Sequence, residues 1–217
     1  MTKLRIKDPG SAITHFIAMV LAILAATPLL LKAHRDGGGM TATALAVFIA
    51  SMILLYGAST IYHTLDISPK VNKLLRKADH MMIFILIAGT YTPVCMVVLG
   101  DRTGWWLLAL VWSIAILGIL IKAFWITCPK WFSSVLYIAM GWVCILAFGK
   151  IINALPAPAF GWILAGGIIY TIGGIIYALK LPLFNSRHQG FGSHEIFHLF
   201  VMGGSFCHYV MMYQFVA

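Results

Sequence analysis

The chain has 217 residues, of which 61% are hydrophobic and only 10% charged, with a mean hydropathy of +0.95 and a formal net charge of +9. Its 15 Lys and Arg and 6 Asp and Glu are too few to cover a water-soluble domain of this size, which excludes a soluble enzyme and makes the bilayer the solvent. No basic cluster is interleaved with aromatic residues on a soluble face, so the positive charge points to anionic lipid headgroups and excludes nucleic acid as a partner.

A spanning helix takes about 20 apolar residues, and seven windows qualify, at 12–31, 41–64, 79–99, 103–123, 131–152, 159–179 and 196–216. The expected fold is an all-α integral membrane protein with seven transmembrane helices, a single domain over residues 1–217. Lys3, Arg5 and Lys7 ahead of the first window give it a signal-peptide look, but its apolar run outlasts an ordinary signal core. Charges, Gly or Pro punctuate the gaps. The expected loops are His34 to Gly39, Lys70 to Lys77, Gly100 to Arg102, Cys128 to Lys130, Asn153 to Pro158 and Leu183 to Ser193.

Eleven of the fifteen Lys and Arg fall at the N-terminus and in the second, fourth and sixth connections, counting Lys122 with the fourth. By the positive-inside rule the N-terminus is expected in the cytoplasm and the C-terminus outside, in a multi-pass protein of the cell inner (plasma) membrane. In the sixth window, Gly166-Gly167 and Gly173-Gly174 lie seven residues apart on one side of a helix, where small residues permit close packing in lipid. Cys95, Cys128, Cys144 and Cys207 form no C-x-x-C pair and read as small apolar side chains, neither a disulfide framework nor metal ligands.

On this topology the ionisable groups within the spans gather at one depth. Ser59 and His63 end the second helix, Asp79 and His80 begin the third, His194 and His198 begin the seventh, and His15 begins the first on the same side. Such groups are costly in a membrane and face a bundle interior or an aqueous cavity. His194 and His198 stand at i and i+4 on one helix face, the spacing at which two imidazoles meet one metal ion. With His63 they form a three-imidazole set suited to zinc, leaving a fourth position for water, as catalytic sites do. Asp79 is placed to hold that water and accept its proton, although alone it also reads as a helix N-cap. Ser59, one turn before His63, is placed to orient a ligand or a substrate carbonyl. His15, His80 and His208 read as interfacial helix-end residues. His208 stands about 15 Å along the helix from His198, too far to share the metal. Tyr91 and Thr92, before Pro93, either line a cavity or satisfy backbone groups freed by the proline.

Ser59-x-x-x-His63, Ala78-Asp79-His80 followed by Leu86-Ile-Ala-Gly-Thr-Tyr-Thr-Pro93, and His194-x-x-x-His198 with Phe200-Val-Met-Gly-Gly-Ser-Phe-Cys-His208 resemble the hemolysin III family of the progestin and adipoQ receptor superfamily. The resemblance runs from about Asp8 to the C-terminus. It implies seven helices, a zinc ion on His63, His194 and His198, Asp79 touching the metal's water, and Ser59 as the accompanying polar residue. It also implies kinship with alkaline ceramidases and adiponectin receptors, hence zinc-dependent hydrolysis of a lipid amide or ester with membrane lipid as substrate, and a part in membrane homeostasis. One departure is Lys7-Asp8-Pro9, where some relatives carry paired glutamates.

Three other readings use the same residues. His194-Glu195-Ile-Phe-His198 fits H-E-x-x-H, the zinc metalloprotease helix, with Glu195 as base. A zinc that only staples helices would suit a non-catalytic receptor or regulator. A histidine layer would also serve a proton or ion pathway or a lytic pore, although nothing lines a channel along its whole length.

Overall fold

In the computed structural model, residues 6–179 and 192–217 are described, and among them every regular element is helical. Among the described residues, six helices are long and apolar enough to cross a membrane. The first, α1 (Pro9–Thr64), opens with Pro9 in its first turn and bends at Gly38, whose φ of 76° and ψ of −172° exclude a side chain. As one straight rod its 56 residues would reach about 84 Å, far beyond a hydrocarbon core of about 30 Å. The bend folds it into two antiparallel arms, 9–37 and 39–64. Asp8 N–H donates to the His63 carbonyl at 2.9 Å, joining the start of one arm to the end of the other. The expected loop from His34 to Gly39 is thus helical up to Gly37 and turns at a single residue.

α2 (Pro69–Pro93) is longer than its apolar window. Lys70 to Lys77, expected as a loop, forms its first turns. Ser68 accepts from the Val71 N–H, Pro69 supplies a preformed φ, and Lys77 donates to the Ala123 carbonyl. A hydropathy window cannot register helical turns that project past the apolar core. Asp79 therefore lies inside the helix and is not its N-cap. After Pro93 the chain passes into a π-helical turn, Val94–Leu99, and stops at Gly100 in the left-handed region, φ 58°.

α3 (Arg102–Phe124) starts at Asp101, whose carboxylate accepts from the Gly104 N–H at 2.9 Å. Trp105 and Trp106 at one end and Phe124 and Trp125 at the other are exposed. These two aromatic pairs stand about 30 Å apart along the helix, the spacing of the two membrane interfaces. Lys122, counted above with the loop charges, is buried at 1% exposure and donates to Cys128 Sγ at 3.1 Å and to Ser133 Oγ.

The fifth window is one span but not one helix. α4 (Lys130–Gly141) gives way to a 3-10 stretch, Val143–Ala147, before α5 (Phe148–Ala154). Tyr91 holds the break, its hydroxyl donating to the Gly141 carbonyl at 2.6 Å and accepting from Cys144 N–H at 2.8 Å. Trp142 Nε1–H donates to Thr171 at 2.9 Å. Thr92 returns its hydroxyl to the Ala88 carbonyl and accepts from Trp112.

α6 (Ala157–Leu179) lies against α7 (Ser193–Met211), which runs on as a π turn, Met212–Val216. The glycine reading holds at three of four positions. A Cβ on Gly166 would come within 2.7 Å of His208, one on Gly173 within 2.6 Å of Phe200, and one on Gly174 would meet Ile138, whereas Gly167 faces open space. Large apolar side chains such as Leu24, Leu117 and Phe206 point outward, the inverse of a soluble protein. The sixth expected connection, with Lys180 and Arg187, lies almost wholly outside the described residues, as do Lys3 and Arg5.

Candidate metal centre

The antiparallel hairpin of α1 carries His63 to the mouth of the bundle, where the first turns of α7 present His194 and His198. One ring nitrogen from each of the three lies within 4.8 Å of the others, so the group could hold a metal ion. The Nε2 atoms of His63 and His194 are 3.1 Å apart. Two nitrogens bound to one tetrahedral zinc at 2.0–2.1 Å stand about 3.3 Å from each other, so the pair needs almost no movement to share an ion. His63 and His198 are buried, at 3% and 2% exposure.

Each of these two rings is anchored by its far nitrogen. His63 Nδ1 is 3.0 Å from a carboxylate oxygen of Asp8, and His198 Nδ1 is 3.3 Å from Thr14 Oγ1. Asp8 is the N-cap of α1 and Thr14 sits on its second turn. From the same stretch Ser11 donates to Glu195 Oε1 at 2.6 Å, while Glu195 Oε2 accepts from Gly192 N–H at 2.7 Å. Both carboxylate oxygens of Glu195 are thereby committed to fastening the start of α7, which disfavours the metalloprotease assignment of Glu195 as base.

Asp79, 8% exposed, belongs to the same buried neighbourhood but not to the three-nitrogen group. The fully buried Ser59 hydroxyl lies beside it, just outside hydrogen-bonding geometry. The three histidines read as interfacial are placed otherwise. His15 is 3% exposed and stacks on His198 with ring centroids 3.6 Å apart and planes 9° from parallel; neither of its nitrogens has a partner. His80 and His208 line the same cavity as His15, and His208 stacks on Tyr170 farther along α7. Helix-end position in the sequence says nothing about azimuth, and all three point inward.

The cavity, about 170 Å³, runs from the histidines between α1, α2, α4, α5, α6 and α7. Asp79, His80, His194 and His198 line it together with apolar residues that include Ile83, Ile87, Val94, Phe148, Ile151 and Phe160. Tyr91 lines it too, so it both faces the cavity and braces the broken span.

The family model of Haemolysin-III related proteins matches residues 4–209. The chain belongs to this family. It is 40% identical to Hemolysin-3 of Bacillus cereus over 205 residues, which cover 94% of this chain and 90% of that protein. It is 36% identical to the Hemolysin-3 homolog of Bacillus subtilis (strain 168) over 199 residues, covering 92% and 89%. A more distant match, 28% identical over 186 residues, joins 76% of the chain to 40% of the Adiponectin receptor protein of Drosophila melanogaster, consistent with the wider receptor superfamily. This Haemolysin-III family member is thus a membrane protein with several spans.

Asp8 and Thr14 escaped the sequence reading. A signal was present in Asp8, an acid at the expected depth of His63, but only the antiparallel hairpin brings residues 8 and 63 together. Thr14 carries no signal of its own.

Proposed function

We propose that this protein crosses the cell inner (plasma) membrane seven times, N-terminus in the cytoplasm, and hydrolyses an amide or ester bond of a membrane lipid at a zinc held by His63, His194 and His198. Two crossings belong to the arms of α1; the bend at Gly38 and the asymmetry of Lys and Arg support that count and orientation. The observation that carries the catalytic part is the convergence of three imidazoles and an unligated carboxylate at the end of a largely apolar cavity. A purely structural zinc is closed by four protein ligands, whereas here the described residues offer three histidines, two of which, His194 and His198, line the cavity.

The donor set fits zinc, which when bound would supply a Lewis acid for the substrate carbonyl and bring a coordinated water to a pKa of about 7. The chain's own residues do the rest. Asp79 accepts a proton from the attacking water and returns it to the leaving group. Ser59, beside Asp79, donates to the substrate's polar head. The apolar walls formed by Ile83, Ile87 and Phe160 take the hydrocarbon and keep bulk water from the reaction. Membrane lipid is the expected substrate, and a contribution to membrane homeostasis follows from that chemistry.

The test is zinc content together with hydrolysis of a long-chain N-acyl lipid by detergent-purified protein and its Asp79→Asn variant. About one zinc per chain in both, with turnover in the parent alone, is the expected result. Zinc in both with no turnover in either would move the protein to the regulators; absence of zinc after reconstitution would remove the metal reading.

A further inference from the structure

His63 and His198 stand at the end of one helix arm and the start of another helix, yet both are held at the N-terminus of α1, by its N-cap and its second turn. Asp8, Ser11 and His15 follow at i, i+3 and i+7, one face of a helix, with Thr14 beside them. That face is buried at Ser11, Ala12 and His15, with exposures of 0%, 4% and 3%. Its hydrogen bonds are more than fastening, because they decide which nitrogen of each ring carries the proton.

For His63 the deduction is short. A carboxylate only accepts, so the Asp8 oxygen 3.0 Å from Nδ1 requires an Nδ1–H donor and leaves Nε2 as a bare lone pair. For His198 it needs one more step. Thr14 has a single hydroxyl hydrogen, and its Oγ1 lies 3.0 Å from both the Gly10 and Ser11 carbonyls, so that hydrogen goes to the helix backbone. Thr14 Oγ1 is then an acceptor toward His198 Nδ1 at 3.3 Å, and Nε2 of His198 is bare as well. Stacking on His15 fixes the plane of the His198 ring. His63 Nε2, with its lone pair exposed, faces His194 Nε2 at 3.1 Å, a contact that an Nε2–H of His194 satisfies as donor and that a shared metal ion would replace.

We propose that Asp8 and Thr14 are positioning residues for the metal, fixing His63 and His198 in the tautomer that turns both Nε2 lone pairs to one point. The inference rests on the metal reading of the three histidines and adds that the first turns of α1, which supply no ligand to the group, set its affinity. It also gives the Lys7-Asp8-Pro9 segment a role: one acid suffices, because Asp8 N–H grips the His63 carbonyl at 2.9 Å while its side chain grips the ring.

The experiment uses the full-length chain in detergent, stripped of metal and titrated with cobalt(II). Its d–d absorption reads geometry, and competition with zinc and a chelating dye reads affinity. Asp8→Asn is expected to weaken binding by about 10–100-fold and distort the cobalt spectrum, Asp8→Glu to recover most of the affinity, and Thr14→Val to lose about 10-fold. Ser11→Ala, which removes a hydrogen bond from the same turn to a residue that is not a ligand, is expected to stay within about 2-fold of the parent, separating positioning from simple loosening of α1. Parent-like binding by Asp8→Asn overturns the proposal, as does a loss in Ser11→Ala equal to that in Asp8→Asn. Failure of the parent itself to bind, or binding unchanged in His63→Ala, would instead overturn the metal reading.

Discussion

The two ends of the helical bundle treat polar side chains in opposite ways. Around His63 they are buried and several lack partners: both nitrogens of His15, Nδ1 of His80 and the hydroxyl of Ser59. Toward the other end most are paired, with His208 Nδ1 the exception among the described residues. Lys150 meets Asp101 at 2.6 Å with both side chains about half exposed, and Lys32 closes the last turn of the chain by donating to the Tyr213 and Ala217 carbonyls at 2.9 and 2.6 Å. Burying a polar group without a partner costs about 1–3 kcal/mol, so a fold retains several in one place where a ligand completes them. Exposed ion pairs contribute little and serve as fasteners. The Lys122 cluster lies between these extremes: it is as buried as the histidines, but its ammonium has two partners and does not line the cavity.

The contrast is broken most severely at the metal ligands. His63→Ala or His198→Ala should abolish stoichiometric metal binding, measured by elemental mass spectrometry, because two imidazoles do not retain what three hold. Next comes Asp79→Asn, expected to reduce kcat/KM for lipid hydrolysis by about 10²–10⁴-fold with metal content unchanged. A fall in metal content alongside activity would make Asp79 a ligand. Lys122→Met should act on stability alone. It leaves Ser133 and Cys128 without their donor and should lower the thermal midpoint by the equivalent of about 1–3 kcal/mol, with metal affinity untouched.

The smallest effect belongs to the exposed end. The Lys150 ammonium, with help from the Gly104 N–H, holds the Asp101 carboxyl below its ordinary value. A carboxyl depressed in the folded state stabilises the protein above its unfolded pKa of about 3.9, and that contribution is lost as pH falls through the folded value. Unfolding of the parent and of Lys150→Ala should therefore coincide in high salt and differ slightly in low salt near neutral pH, the difference vanishing in acid. A large gap in high salt would mean that this pair does more than fasten.

Much of the candidate site is legible in the sequence. His194 and His198 announced themselves by helical spacing, and His63 by its depth, because membrane burial makes an ionisable residue costly enough to mark function. Asp79 shares the cavity with His194 and His198, but its neighbourhood with Ser59 depends on the packing of α2 against α1. Pro93 frees backbone groups as the sequence implies and is followed by a π turn, whereas the break beside the cavity lies at Gly141–Trp142, in a window that reads as continuous helix.

Sequence alone determined that this chain lives in a bilayer, where its apolar runs lie and which three histidines share a depth, since hydropathy and helical periodicity act along one dimension. Tertiary structure decided azimuth and partnership. It turned His15, His80 and His208 inward, committed both oxygens of Glu195, and brought Asp8 and Thr14 to the far nitrogens of His63 and His198. Those contacts join residues 55 and 184 positions apart, and they depend on how helices rotate against one another, a degree of freedom that no local pattern encodes.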